Sequence, residues 1–333
     1  MAANSRMIRQ MNHRALWSAM LQYQKATKPE LSQYTGLSQA TVNHLIAEME
    51  QRGEVIDLGE VPSNGGRPSR QYGFHASLSK AGILFGHRKN NEHFLHALVI
   101  DLNGTPLFQK KQGFSEIHPD TFYPWMDEMK AKHPEISLFS FGLPGEEENG
   151  EIVINDYQEL VGISFLEKVR QRYRCEVLFE NDVNAAVTGF ACENPTSASV
   201  AALYFPRQFG PGAGLLLNGR LHRGKNHFAG EMYAIPEAND MKNLDFQNTE
   251  KVVRQVGQII AVYCSVIAPD SFVLYGDFWT PEIKTGISVY IQEVLRGKFQ
   301  PNLQFIEKIE PDFCRGMIEL SLQQIRAPFL KNL

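Results

Sequence analysis

The sequence predicts an α/β protein that begins with a winged helix-turn-helix. Three observations carry that prediction. Residues 27–53 read as two short helices across a tight turn. Two short strands around a polar tip follow, at 54–59 and 71–74. From residue 76 onward strands and helices alternate, which is the pattern of sheets covered by helices.

The head comes first. A helix over about residues 5–23 carries Ile8, Met11, Leu16 and Met20 along one face. Leu31 and Tyr34 give the next helix a buried side. Gly36 sits where the chain must turn sharply, which glycine does without steric cost. Ser38 is positioned to cap the following helix by accepting from its free amides. Val42, Leu45, Ile46 and Met49 recur at helical spacing, and Gly53 ends the run. EVIDLG and QYGF make the wing, with VPSNGGRPSR as its tip. The segment Gly65-Gly66-Arg67-Pro68 is narrow, extended and led by a guanidinium, so it suits a minor groove. A plain flexible tip reads equally well.

In the body, AGILFGHRK, HFLHALVIDLNG and PLFQKKQGF are three strands, the second ending in the turn signal Asn103-Gly104. Helices are expected at about 119–132, 164–173, 183–192, 249–267, 281–296 and 312–328. Strands are expected at 136–141, 175–180, 198–205, 213–218, 270–275 and 303–309. The pattern divides near residue 190, which implies two lobes with a cleft between them. The expected division is 1–75, 76–190 and 191–333, with the C-terminal helix packing back on the first lobe.

Charge and composition narrow the function. The chain has 333 residues, enough for two or three domains. It holds no run of about 18 apolar residues, so no membrane span is expected. Its start, MAANSRMIRQMNHRALW, reads as a basic amphipathic helix rather than a signal peptide. Cys175, Cys192, Cys264 and Cys314 lie far apart, which fits a reducing cytoplasm. Residues 1–46 hold Arg6, Arg9, Arg14, Lys25 and Lys28 against Glu30 alone. That stretch is net +4, which leaves −8 for the rest of a chain whose net charge is −4. A basic head on an acidic body is the footprint of a DNA-binding domain on an effector or assembly domain.

Three loops stand out in the body. Gly142-Leu143-Pro144-Gly145 follows a strand and lies at the mouth of a sheet, where α/β ligands sit. Glu180-Asn181-Asp182-Val183-Asn184-Ala185-Ala186 leaves a strand and opens a helix. Gly210-Pro211-Gly212-Ala213-Gly214 begins a glycine series that continues through Gly219, Gly224 and Gly230.

These residues resemble the ROK family of bacterial sugar kinases and sugar-responsive repressors, over essentially the whole chain. ENDVNAA is similar to the family's END-x-N-x-A motif. GPGAGLLLNGRLHRGKNHFAGEM is similar to its glycine-rich stretch, and GLPGEEENGEIV to its G-x-PG loop and following hairpin. The resemblance implies a winged helix-turn-helix, a GRP-like linker and a two-lobed, actin-like (ribonuclease H-like) sugar-kinase fold. It assigns Gly145, Asn181, Asp182 and Glu231 to a sugar in the cleft. Asp182 stands where the kinases hold their general base, a group needing reach and a matched pKa. Capping of the helix it opens is the competing role for Asp182, and ordinary loop hydrogen bonding for Asn181 and Glu231.

Departures from the family pattern are as informative. Its DxGGT phosphate loop corresponds to Lys89, Asn91, Glu92 and His93, with no glycine to let a phosphate approach the backbone. Its CxCGxxxC zinc element is missing from YAIPEANDMKNLDF, and the histidine of GE-x-GH is Ala234. Zinc needs several thiolates or imidazoles at close spacing, so no metal and no cofactor are expected. Glu159 replaces a sugar-contacting asparagine. His87, His93 and His96 are close in sequence, but His87 falls on a different strand from the other two, which argues against a metal site. His222 and His227 flank the glycine-rich loop and are available either to the cleft or to the surface.

The expectation is a cytoplasmic, non-enzymatic repressor of carbohydrate-metabolism genes, controlled by a sugar or sugar derivative in the interlobe cleft, that acts as a homodimer, or as paired dimers, on double-stranded operator DNA. Ser38, Gln39, Thr41, Asn43 and His44 lie at the start or outer face of the recognition helix and, with Arg67, are the candidate DNA contacts. Arg6, Arg14, Lys25 and Lys28 would touch phosphates. Two alternatives stay open. One is a regulator whose ROK domain binds no sugar and serves dimerisation or a protein partner. The other is an active ATP-dependent sugar kinase, which phosphoryl transfer would require to hold phosphates and magnesium.

Overall fold

Helix α1 (Ala2–Tyr23) opens the chain and strand β1 (Lys25–Thr27) leads into α2 (Lys28–Thr35) and α3 (Gln39–Gln51). This computed structural model describes residues 2–62, 68–89, 92–148, 150–155, 157–207, 210–233, 235–241 and 244–331. A capping box starts α2: Glu30 N donates to Thr27 Oγ1, and Thr27 N donates to the Glu30 carboxylate at 2.7 Å. Gly36, at φ 70°, ends that helix in the left-handed region. Ser38 then caps α3, its hydroxyl accepting from Thr41 N at 3.2 Å. Leu31, Val42, Leu45, Ile46 and Met49 are buried between the helices.

Two sequence expectations fail here. Tyr34 is exposed and stacks on Tyr23 with centroids 3.9 Å apart, so the inner side of α2 rests on Leu31. Ile8 and Met11 are more than half exposed, whereas Leu16, Trp17 and Met20 are fully buried. The apolar period of α1 continues past the end of the core it serves.

Strands β2 (Val55–Val61) and β3 (Ser69–Phe74) form an antiparallel hairpin, and β1 pairs with the far side of β3. Arg67 and the tip around it lie outside the described residues. At the base of this sheet Glu54 is buried with His13, and Arg52 Nε donates to the Glu54 carboxylate at 2.6 Å.

The first body sheet contains β4 (Lys80–Lys89), β5 (Glu92–Asp101) and β6 (Pro106–Phe114), an antiparallel meander. Helix α4 (Pro119–Lys132) leads to β7 (Ile136–Gly142), which lies parallel to β4. A small hairpin follows, β8 (Gly145–Glu148) with β9 (Glu151–Asn155). Helix α5 (Phe165–Tyr173) then leads to β10 (Glu176–Glu180), parallel to β7. The strand order is β10-β7-β4-β5-β6.

After α6 (Asp182–Glu193) the same plan recurs. The meander is β11 (Val200–Tyr204), β12 (Gly212–Leu217) and β13 (Arg220–Leu221). Helices α7 (Pro236–Asp240) and α8 (Thr249–Val266) precede β14 (Ser271–Tyr275). Helix α9 (Pro281–Val294) precedes β15 (Asn302–Ile306), and α10 (Glu310–Lys331) closes the chain. The order β15-β14-β11-β12-β13 repeats the first sheet, with antiparallel strands on one side and parallel strands on the other.

Each sheet's following helix packs on the other sheet. Helix α6 lies on β11 and β12, and α10 lies on β4 and β7, where Ser321 Oγ donates to Ser140 Oγ at 2.8 Å. The two helices cross backbone to backbone. A Cβ on Gly189 would stand 1.9 Å from Asp312 O, and one on Gly316 would stand 1.7 Å from Ala185 O. Only glycine lets these helices approach so closely.

One central core runs through both lobes and into the head. Trp17 stacks on Phe329 near the end of α10 at 6.1 Å, and Gln24 and Asn103 exchange side-chain hydrogen bonds at 2.8 and 2.9 Å. Arg14 Nε donates to Leu330 O at 3.0 Å, so this arginine ties head to body. Among the described residues no helix is long and apolar enough to cross a membrane.

Candidate functional site

Two places concentrate the sequence-derived candidates. The first is the outer side of α3. Ser38, Gln39, Asn43 and His44 are exposed there and Thr41 is half-buried, while Val42, Leu45 and Ile46 face inward. The hydroxyls of Ser38 and Thr41 bond to each other at 2.9 Å. His44 Nε2 lies 3.2 Å from Glu48, a carboxylate that also receives Arg9 from α1. Gln39 and Asn43, four residues apart, present two amides on one side of the helix.

The second place is a recess where β10 ends, α6 begins, and the loop around residues 223–231 folds over. Gly145, Asn181 and Glu231 line it together with Glu147, Asn184 and Arg223. Asp182 does not line it; its Oδ1 accepts from Val183 N at 2.9 Å. The helix cap is Asn181, whose Oδ1 accepts from Val183 N and Asn184 N at 2.8 and 3.3 Å. Its Nδ2 donates to Gly145 O at 3.1 Å, so the Asn181 amide joins the two motif loops to each other. The capping role foreseen for Asp182 falls one residue earlier because Asn181 has the extended backbone of an N-cap.

Glu180 is buried beneath the recess and fully engaged. Arg223 reaches its Oε2 through Nε at 3.0 Å and Nη2 at 2.5 Å. Asn184 Nδ2 donates to its Oε1 at 3.0 Å. The covering loop is conformationally unusual: Asn226 and His227 have φ of 53° and 57°, in the left-handed region that non-glycine residues seldom occupy. His227 lines the recess, and His222 does not. Glu231 lies near Tyr263, whose hydroxyl is pushed up to about 12 by burial and by that carboxylate.

Sequence reasoning passed over Glu180, Asn184 and Arg223 as site residues. All three lie within the motif stretches, but nothing local tells that Arg223 and Glu180, 43 residues apart, will meet. Glu159 is exposed and stands away from the lining, and Ala234 lies outside the described residues.

The region matching the phosphate loop is the β4–β5 turn. Asn91 lies outside the described residues, Glu92 is exposed, and His93 packs edge-on to Tyr157 at 5.1 Å. His87 and His96 sit on different strands, but those strands are neighbours, and the rings come to 5.1 Å. His87 Nε2 is 3.4 Å from Glu310, and His96 stacks on Phe85. Burial, then the neighbouring His87 and Lys111, lower the His96 pKa to about 4. Among the described residues no group of three or more His, Cys, Asp or Glu is placed to hold a metal ion.

The chain is 23% identical over 239 residues to the xylose repressor of Bacillus subtilis (strain 168), an alignment covering 69% of this chain and 61% of that protein. It is 20% identical over 244 residues to the DNA-binding transcriptional dual regulator NagC of Escherichia coli (strain K12), covering 69% and 58%. The chain thus spans about 60% of the length of the curated relatives it matches. A solved ROK family transcriptional regulator, a homologue of the E. coli MLC protein, superposes at TM-score 0.63 and 12% identity over 97% of this chain and 99% of its own. A ROK family protein from Streptococcus pneumoniae TIGR4, solved in complex with sucrose, superposes at TM-score 0.57 and 17% identity over 74% and 99%. At these identities the two structures establish a shared fold, which in the first case runs through the head as well as the lobes. The ROK family pattern itself matches residues 96–239, from β5 to α7, so this chain carries a ROK family domain.

Proposed function

We propose that this chain is a DNA-binding transcriptional regulator, a repressor of carbohydrate genes, controlled by a sugar in the recess between its lobes. The head, residues 1–75, acts as a winged helix-turn-helix, and residues 76–190 and 191–333 act as the lobes. The observation that carries the reading is α3: one side fully buried, the other offering Gln39 and Asn43 side by side. Asparagine and glutamine pair with adenine edges in a major groove. Ser38, Thr41 and His44 flank them, and Arg67 belongs to the wing tip. Two heads of a homodimer would read a palindromic site, since two-fold symmetry maps onto two half-sites.

The carbohydrate reading is supported by relatives named as repressors of xylose and N-acetylglucosamine systems. Glu231, Gly145 and Asn184 are the ligand-facing groups. A sugar that prefers one lobe arrangement shifts its population, by no more than its difference in affinity for the two. Helices α6 and α10 are the route: α6 starts at the recess, crosses α10 at Gly189 and Gly316, and α10 ends against Trp17 in the head. A non-enzymatic role is supported by the Lys89–His93 segment, which lacks the glycines of a phosphate cradle.

Gel shifts with the DNA upstream of the gene and of its neighbours test this. We expect preference for one palindromic fragment over competitor DNA, and a loss of about 1–3 kcal/mol of discrimination in Asn43→Ala. Equal binding to all fragments would sink the DNA-reading role. ADP release with any hexose would sink the non-enzymatic one.

A further inference from the structure

We propose that the recess selects sugars without an anionic group and rejects their phosphorylated and carboxylated forms. This rests on the effector reading above and adds the chemical class of the ligand. Two independent observations lead to it.

The first is charge. Three carboxylates, Glu147, Glu180 and Glu231, line the recess, and among the described lining residues Arg223 is the one Lys or Arg. With His227 counted neutral the described lining residues carry a formal −2. Arg223 is already committed, with two donors on Glu180. Glu180 is 4% exposed and holds Asn184 through its other oxygen, so the charge of the guanidinium is already offset by a buried carboxylate. Glu147 accepts from Gly150 N. A second anion placed here meets like charge on more than one side.

The second is donor and acceptor count. Asn184 is 7% exposed and lines the recess. Its Nδ2 must face Glu180, because a carboxylate only accepts, and this orientation leaves Oδ1 as a buried acceptor with no partner. Such an atom calls for a donor, since an unmet buried acceptor is destabilising. Hydroxyl and ammonium groups donate; phosphate dianions and carboxylates do not. An acceptor-rich, negatively charged recess therefore matches a polyol or an amino sugar.

The test is calorimetric titration of the full chain with xylose, glucose, glucosamine and N-acetylglucosamine, and with glucose 6-phosphate, N-acetylglucosamine 6-phosphate and glucuronate. We expect at least one uncharged or amine-bearing sugar to bind, and its anionic form to bind at least tenfold more weakly. That ratio should shrink in Glu147→Gln, which keeps shape and removes one charge. It should also shrink in the unaltered protein as salt rises, because screening weakens the repulsion. If a 6-phosphate binds as tightly as its parent sugar, the effector reading stands and this inference falls. A ratio unmoved by both Glu147→Gln and salt overturns it as well. If none of the seven binds, the effector reading falls and takes the inference with it.

Discussion

Asn181 and Arg223 illustrate how single side chains acquire roles that their motifs only hint at. The motif assigns Asn181 to a ligand, yet its carbonyl caps α6 and its amino group bridges to Gly145, so it shapes the recess from the wall. Arg223, unremarked in its glycine-rich stretch, becomes the counter-charge of Glu180. Two further residues make predictions at this scale. His96 titrates near 4 when folded and near 6.5 when unfolded, so the unfolded chain binds the proton first as pH falls. Stability from neutral His96 should be fully present above about 6.5 and be lost progressively down to about 4. Thermal melts of wild type and His96→Phe from pH 7 to 4 check this: the variant should lose less stability across that window. Glu54 is the second residue. It is buried at the foot of the head, facing His13 and Arg52. Glu54→Ala should cost about 1–3 kcal/mol in urea unfolding, the penalty of stranding buried polar partners, moderated because Arg52 reaches solvent.

Among the elements, the crossing of α6 and α10 governs the fold. Each helix belongs to one lobe by sequence and to the other by packing, and their contact has no room for a methyl group. Gly316→Ala should therefore destabilise by about 3 kcal/mol, the upper part of the range for overpacking, because the obstacle is the Ala185 carbonyl and not a movable side chain. Denaturant unfolding measures it; a wild-type midpoint would mean that the helices separate freely. Most helices and strands were legible beforehand, since periodicity, caps and turns act over a few residues. Those passed over are short or depend on a partner. Strand β1 has three residues and exists because β3 accepts it. Strand β13 has two. The outer half of α1 misled because Ile8 and Met11 keep the helical period where no core remains to receive them.

For the molecule as a whole, the head is docked, not tethered. Trp17 lies on Phe329, Arg14 on Leu330 O, and Gln24 on Asn103, so the end of α10 and the β5–β6 turn form its seat. If a sugar in the recess acts through α10, Phe329→Ala should leave operator binding in place while greatly reducing its release by sugar. Gel shifts with and without the effector would read that, and an unchanged response would remove α10 from the route. By itself the sequence determined the order and kind of most elements and the family pattern, because each rests on residues close together in the chain. Tertiary structure alone decided which polar groups meet and what joins head to body. Arg223 reaches Glu180 across 43 residues and Arg14 reaches Leu330 across 316, and pairings of that span follow from the packing of lobes and helices, which no local pattern encodes.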